Sequence, residues 1–245
     1  MNRISGTYVI STTLGESVRS FIPHPLPPAD PPLAPSTYAD LNHQAEMALA
    51  RLSGVSGLVP SVGWLLYSAV RKVRDNLRDP TGLPISVGLL CDADRVLLDG
   101  VRGAGKQPGE LRRSQNWVGG TRPGNATFVP PPADRVAGLL GDLEQFIHHE
   151  ESALPPLVRI ALAHAQFETI HPFLSGNGRI GRLLIAALVE HWGLLAEPLM
   201  YLSGYLKRHQ GEDYRRIGSV CSPRLKQAAA CEDEDLVCLA RAITA

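Results

Sequence analysis

The chain has 245 residues, of which 44% are hydrophobic and 20% are charged, as is typical of one globular domain with or without an appendage. Lysine and arginine together number 24, and so do aspartate and glutamate, so no overall charge attracts the protein to nucleic acid or to an anionic membrane surface. The apolar runs, such as 183–189, are far shorter than the roughly 20 residues that span a bilayer, and the N-terminus lacks the pattern of a signal peptide. We therefore expect a cytoplasmic protein that binds neither nucleic acid nor membrane, with any anion site being local.

Two different patterns make up the N-terminal segment. Residues 1–20 place Tyr8, Ile10 and Leu14 at even spacing, which predicts a short strand. The next stretch, 21–35, reads FIPHPLPPADPPLAP, and so many prolines exclude a helix or a central strand. This stretch is predicted to be an extended arm on the protein surface.

Apolar residues recur at helical spacing in two blocks of the chain, 37–98 and 133–192. Ser86 precedes one of these segments and is a good N-cap residue. The predicted helices are 37–52, 62–77, 86–98, 133–149, 155–170 and 178–192. Beyond residue 214 the periodicity weakens.

The segment between the two helical blocks, 100–132, has a glycine or a proline every few residues, and Trp117 and Phe128 flank its Gly-Gly and Pro-Gly centre. This composition predicts a loop with an irregular hairpin. For Trp117 we favour a role as a core anchor, because aromatic burial contributes strongly to packing.

The most informative segment is 171–182, HPFLSGNGRIGR, which lies between two apolar helical patterns. The second helix begins inside this segment, so the backbone amides of Gly176, Asn177, Gly178 and Arg179 are expected to lie at a helix N-terminus. There the first N–H groups lack helical partners and the helix dipole is positive. Such a terminus is a ready anion-binding site.

Charged and titratable side chains surround these amides. Arg179 and Arg182 are three residues apart on the same predicted helix, so their guanidinium groups reach one side and can bind separate phosphates. His171 precedes the loop and carries an imidazole that can accept a proton near neutral pH. A base, a set of amides and two arginines indicate a site for phosphoryl or nucleotidyl transfer.

The same string resembles the Fic signature HxFx(D/E)GNGRxxR, and residues that match it are His171, Phe173, Gly176, Asn177, Gly178, Arg179 and Arg182. The resemblance extends to GVRG, KQPGELRRSQNWVGG, FVPPP and ALAHAQFETIHPF. It implies a mostly helical Fic fold, with central helices flanking the HPFLSGNGRIGR loop and a short β-hairpin flap. It also implies an N-terminal arm and helical region at 1–60, a Fic core at 61–216 and a divergent or truncated tail at 217–245.

The resemblance further implies transfer of AMP from ATP to a Ser, Thr or Tyr hydroxyl of a target protein. His171 would be the catalytic base, Phe173 would anchor the loop, and Arg179 and Arg182 would bind the β- and γ-phosphates. The nucleotide-binding set implied in this way is Ser175, Gly176, Asn177, Gly178, Arg179 and Arg182. The flap would hold the target by strand pairing, with Gly119, Gly120, Thr121, Asn125 and Phe128 as its binding residues.

Ser175 occupies the acidic position of the signature, where the family's carboxylate holds Mg²⁺. A hydroxyl is a poor substitute for the carboxylate oxygens that Mg²⁺ prefers, so we expect the metal to be weakly held and transfer to be impaired. The family's inhibitory pattern (S/T)xxxE(G/N) does not follow 70–73, so we expect that helix to be missing. A partner chain that replaces it and a homo-oligomer are both compatible with the sequence.

Three functional interpretations therefore stay open. The preferred one is an ATP-dependent protein adenylyltransferase. The second is a degenerate nucleotide-binding pseudoenzyme or interaction module, which Ser175 favours. The third is transfer of UMP or phosphate, although Arg179 stands where kinase-like relatives would carry a lysine.

Overall fold

The computed structural model of the chain describes residues 5–29, 32–55, 84–99, 105–150 and 152–195. The predicted helix at 62–77, the expected loss of the inhibitory helix and the tail beyond residue 214 all lie outside the described residues. None of the described helices is both long enough and apolar enough to cross a membrane.

An antiparallel hairpin opens the described part of the chain. Strand β1 (Gly6–Thr13) pairs with strand β2 (Glu16–Pro23), in a register that runs from Gly6 opposite Pro23 to Thr13 opposite Glu16. The turn is tight because Leu14 and Gly15 both adopt positive φ angles, of 51° and 78°. The strand predicted within 1–20 is confirmed, and it has a partner.

The predicted extended arm begins later than its composition suggests. Its first residues, 21–23, belong to β2, because they pair with residues 6–8 of β1. Phe21 also donates its N–H to the carbonyl of Val129 at 3.0 Å and buries its ring against Tyr8 and Phe128. The prediction of an arm from residue 21 was therefore wrong for these residues. Long-range pairing and burial of the phenylalanine outweigh the proline-rich composition that follows.

The helices agree with the sequence periodicity to within three residues at each end. Ser86 caps the second helix as predicted, since its hydroxyl accepts a hydrogen bond from the N–H of Leu89 at 3.2 Å. Pro156 occupies the first turn of the fourth helix, where a missing N–H costs nothing. The helices are α1 (Pro35–Val55), α2 (Val87–Leu98), α3 (Val136–His148), α4 (Pro156–Ile170) and α5 (Asn177–His191).

Helices α4 and α5 form the centre of the core. Phe167 and Ile170 of α4 and Ile180 and Leu184 of α5 have no exposed surface, as expected for helices that are apolar on more than one face. Helix α4 also contacts α1, α3 and β2, and α5 contacts α2. The loop between α4 and α5 is thus held at both ends by the most buried helices of the described structure.

The loop predicted at 100–132 contains less strand pairing than a β-hairpin. Within its described part the pairing is a single bridge between Val118 and Phe128. A short 3-10 turn at Pro123–Asn125 lies between these two residues in the chain. Trp117 is half-buried, so its predicted role as a core anchor is wrong. Glycines and Pro123 set the shape of this segment, which we call the flap (118–128).

Candidate active site

The loop between α4 and α5 begins with an unusual backbone conformation at His171. This residue ends α4 in the left-handed region, with φ 51° and ψ 60°, while its N–H still donates to the carbonyl of Phe167 at 3.0 Å. A left-handed residue at this position is a common way to end a helix, although glycine or asparagine usually supplies it. The chain therefore leaves the helix abruptly, and the imidazole lies beside the start of the loop.

Asn177 closes the loop through its side chain. Its Oδ1 accepts from the N–H of Phe173 at 2.9 Å, and its Nδ2 donates to the carbonyl of Phe173 at 2.8 Å. Phe173 is 1% exposed and packs against Phe167 with ring centroids 6.4 Å apart, so its predicted role as the loop's anchor is confirmed. With its amide side chain bound inside the loop, Asn177 offers a ligand its backbone N–H.

The N-terminus of α5 has the features of an anion site. Gly176 is the N-cap with φ 88°, and no side chain caps the helix. The N–H groups of Arg179 and Ile180 return to the carbonyl of Gly176 at 2.8 and 3.1 Å, whereas those of Asn177 and Gly178 precede these helical bonds. Uncapped amides at the positive end of a helix dipole favour a bound phosphate.

Gly176 is required by its conformation and by its surroundings. A Cβ atom there would lie 3.0 Å from Oδ1 of Asp94 and 3.4 Å from Cδ2 of Leu98, both on α2. Asp94 is buried, and its other oxygen accepts from the N–H of Gly109 at 2.8 Å. Burial raises the pKa of Asp94, while the bond from Gly109 and the charge of Arg179 lower it.

Replacing Gly176 by alanine is expected to weaken nucleotide binding and to destabilise the fold. A left-handed alanine costs about 1–2 kcal/mol, and its Cβ would also push against Asp94. The control is Gly193→Ala, because Gly193 has φ 67° but open space around its Cβ position. Thermal unfolding and ATP titration of both variants would check this, and equal losses of stability with equal ATP affinity would contradict it.

The two motif arginines lie close to the glycines at the start of α5. Arg179 donates from Nη1 to the carbonyl of Leu97 at 3.2 Å, which links it to the end of α2. Nη1 of Arg182 lies 3.3 Å from the position that a Cβ on Gly178 would occupy. Both guanidinium groups are therefore near the first turn of α5, and both residues are half-buried.

The protonation state of the His171 imidazole follows from its surroundings. Its Nδ1 lies 3.3 Å from the carbonyl of Glu168, so Nδ1 carries the proton and Nε2 is the acceptor. Burial lowers the pKa of His171 to about 4, helped by the charge of Arg112 and opposed by the bond to Glu168. At neutral pH the ring is uncharged, as a general base requires.

Sequence reasoning missed two residues that hold this loop, Arg112 and Asn116. The guanidinium of Arg112 donates to the carbonyl of His171 at 2.9 Å, and Nδ2 of Asn116 donates to the carbonyl of Phe173 at 3.1 Å. The segment KQPGELRRSQNWVGG contributed to the family resemblance, but its pattern contains no sign that one arginine is buried and its neighbour Arg113 is exposed.

The flap follows directly after Asn116. Gly119 and Gly120 are exposed and both have φ 71°, and Oδ1 of Asn125 accepts from the N–H of Thr121 at 3.0 Å. The side chain of Phe128 is buried against Phe21, so it packs within the protein. The exposed members of the predicted target-binding set are thus at the tip of the flap.

The acid position of the motif is filled by Ser175, which is half-buried. Within the described ranges there is no group of three or more His, Cys, Asp or Glu residues that could hold a metal ion. The nearby Asp94 lies on α2, and its single carboxylate does not form such a group. The weak binding of Mg²⁺ expected from Ser175 stays a prediction.

Comparison with known families identifies the domain. The model of the Fic/DOC family matches residues 84–189. These residues form a Fic domain. The matched range begins before α2 and reaches into the last turns of α5, so the Fic domain contains every residue of the site and the flap. It falls inside the predicted core at 61–216, whose boundaries stay a prediction.

Curated relatives match the Fic domain over a short alignment. The chain is 41% identical over 86 residues to the protein adenylyltransferase Fic of Drosophila grimshawi, and 40% identical over 86 residues to that of Drosophila melanogaster. Each alignment covers 35% of this chain and 16% of the relative. The chain thus corresponds to a small part of these proteins.

Solved structures show the same fold over a longer range. A Fic family protein from Desulfovibrio desulfuricans superposes with a TM-score of 0.57 at 21% identity, covering 86% of this chain and 74% of the other. A Fic domain containing signaling protein from Bacteroides thetaiotaomicron gives a TM-score of 0.50 at 18% identity, covering 88% and 90%. The predicted mostly helical Fic fold is confirmed.

Proposed function

We propose that this Fic domain binds ATP and transfers AMP to a hydroxyl side chain of a target protein. The observation that carries the proposal is the uncapped N-terminus of α5, which a short loop connects to the neutral imidazole of His171. The names of the curated relatives, protein adenylyltransferase, support the choice of reaction. Those names belong to much longer proteins, of which the alignment covers 16%.

In the proposed reaction His171 removes the proton of the attacking hydroxyl. The hydroxyl oxygen forms a bond to the α-phosphorus of ATP, the bond from that phosphorus to the bridging oxygen breaks, and pyrophosphate leaves. The amides of Asn177 and Gly178 and the guanidinium groups of Arg179 and Arg182 bind the phosphates. These donors stabilise negative charge where it develops, which is a major source of catalysis in transfer reactions.

A second function, a nucleotide-binding pseudoenzyme, is favoured by one specific observation. Ser175 supplies a hydroxyl where the family signature has a carboxylate. Loss of that ligand would lower the rate of the chemical step more than it lowers the affinity for ATP, because the amides and arginines remain. Both functions therefore predict ATP binding, and only the first predicts transfer of AMP.

Changing Ser175 to aspartate is expected to raise Mg²⁺-dependent transfer of label from α-labelled ATP above the level of the natural protein. The new carboxylate supplies a hard ligand beside the α- and β-phosphates. Label incorporation with Mg²⁺ and with Mn²⁺, together with ATP titration, would measure turnover and affinity separately. We expect ATP affinity to change little.

The matched control is Ser175→Asn, which has nearly the shape of aspartate without its charge. A gain in the aspartate variant alone supports a ligand role for the new carboxylate. A natural protein that is already as active as the aspartate variant would show that transfer does not need a carboxylate at position 175. No transfer from either protein, with ATP still bound, would favour the pseudoenzyme.

A further inference from the structure

Arg112 is one of the most buried large side chains of the described structure, with 2% of its surface exposed. Its Nε donates to the carbonyl of His171 at 2.9 Å, and Nη2 donates to the carbonyls of Ile170 at 3.3 Å and Pro131 at 2.5 Å. Nη1 donates to the carbonyl of Ser114 at 3.3 Å. Every acceptor is a main-chain carbonyl, and no carboxylate of the described residues forms an ion pair with Arg112.

The same short segment binds four successive carbonyls, namely the last one of α4 and the first three of the loop. Arg112 bonds to Ile170 and His171 through its side chain and to Pro172 through its N–H at 2.9 Å. Asn116 donates from Nδ2 to His171 at 3.4 Å and to Phe173 at 3.1 Å. The carbonyls at the end of α4 would otherwise lack partners, so Arg112 and Asn116 together hold the chain where it leaves the helix.

We propose that Arg112 is a positioning residue for His171. Its guanidinium holds the left-handed backbone turn from which the imidazole projects at the start of the loop. This inference rests on the proposed function, because the position of the ring matters to the reaction if His171 is the base. Arg112 contacts the backbone of the loop and is not itself a catalytic residue. Asn116 assists it by binding the carbonyls of His171 and Phe173.

The turn at His171 needs such support. A non-glycine residue in the left-handed region is unfavourable by about 1–2 kcal/mol, and it persists where surrounding contacts determine it. Arg112 supplies these contacts from a planar group whose donors have fixed directions. The negative end of the α4 dipole, together with the carbonyls, balances its buried charge.

A lysine cannot reproduce this arrangement. Its ammonium is a single point of charge, and it cannot reach the carbonyls of Ile170, His171 and Pro131 with the geometry of a guanidinium. Burial lowers the pKa of Arg112 to about 10, so the arginine stays charged at neutral pH. Arg112→Lys therefore keeps a positive charge near His171 and removes the directed hydrogen bonds of the guanidinium group.

The protein contains a matched control for this substitution. Arg159 is also buried, and its Nη2 donates to the carbonyls of Phe146 at 3.2 Å, Ile147 at 2.9 Å and His149 at 2.8 Å. It thus binds the last carbonyls of α3 as Arg112 binds those of α4, but His171 is not among its partners. Arg159→Lys removes an equivalent set of bonds elsewhere.

The test is an NMR titration of the His171 imidazole in the full chain, with His171→Asn used to assign its signal. In the natural protein we expect titration at about pH 4. In Arg112→Lys the ring is expected to reach solvent and its pKa to rise by roughly one unit or more, towards the ordinary value of about 6.5. Asn116→Ala is expected to raise it less, and Arg159→Lys to leave it unchanged.

Each outcome decides the inference independently of transfer activity. A raised pKa in Arg112→Lys but not in Arg159→Lys supports it even if no label is transferred. An unchanged pKa in a folded Arg112→Lys protein, or an equal rise in Arg159→Lys, overturns it. If Arg112→Lys does not fold, Asn116→Ala decides in the same way, since it removes bonds to the same loop and leaves the buried charge in place.

Discussion

Replacing His171 by alanine is expected to abolish transfer of label from α-labelled ATP while ATP affinity stays nearly unchanged. The imidazole accepts a proton in the chemical step, and loss of a general base typically lowers the rate by about 10²–10⁴-fold. It contributes little to binding the ground state of ATP, so the effect falls on turnover. Label incorporation and ATP titration of the same preparation measure the two quantities.

The control for this variant is His43→Ala, because His43 is an exposed residue of α1. His43→Ala is expected to change neither the transfer of label nor the affinity for ATP. Transfer that persists at the natural rate without His171 would mean that the proton goes to another group. The role assigned to the imidazole would then be wrong, although the anion site at α5 would stand.

Replacing either Arg179 or Arg182 by alanine is expected to weaken ATP binding by about 1.5–3 kcal/mol, because each change removes a charge-assisted bond to a phosphate. This range corresponds to roughly 10-fold to 150-fold in the dissociation constant. The natural protein is expected to bind ATP in the micromolar to millimolar range. Isothermal titration of the folded variants would measure the change.

Arg113→Ala is the control for the loss of a positive charge, since Arg113 is exposed and pairs with Glu110 at 3.1 Å. It is expected to bind ATP as the natural protein does. Unchanged affinity in both Arg179→Ala and Arg182→Ala would place the nucleotide elsewhere on the protein. A comparable loss in all three variants would point to a general charge effect and against specific phosphate contacts.

Much of the helical fold was predictable because its determinants are local. Ser86 capped α2 as predicted, and the periodic apolar residues of α4 and α5 formed buried faces. Each of these features depends on residues within a few positions of one another. The Fic resemblance, on its contiguous motif, correctly implied which two helices would flank the loop.

The flap and the N-terminal arm were harder to predict, because their structure depends on distant partners. Phe21 of β2 binds the carbonyl of Val129 and packs against the ring of Phe128, more than a hundred residues away in the chain. Trp117 remains half-buried. Composition indicates which residues are able to pack, and tertiary contacts decide which of them do.

The sequence by itself determined the residues available to the site. His171, Gly176, Arg179 and Arg182 lie within one twelve-residue motif, where neighbours in the chain are also neighbours in space. A glycine before a helix start, with arginines one turn later, specifies an anion site from local backbone geometry alone. Their catalytic and binding roles stay predictions.

Only the tertiary structure decided how the loop is held and why His171 is neutral. Arg112 reaches the carbonyl of His171 across 59 positions of sequence, and Asn116 reaches Phe173 across 57. Asp94 packs beside Gly176 from a different helix. Burial and hydrogen bonding of this kind depend on how separate segments meet, and burial is what lowers the pKa of His171 to about 4.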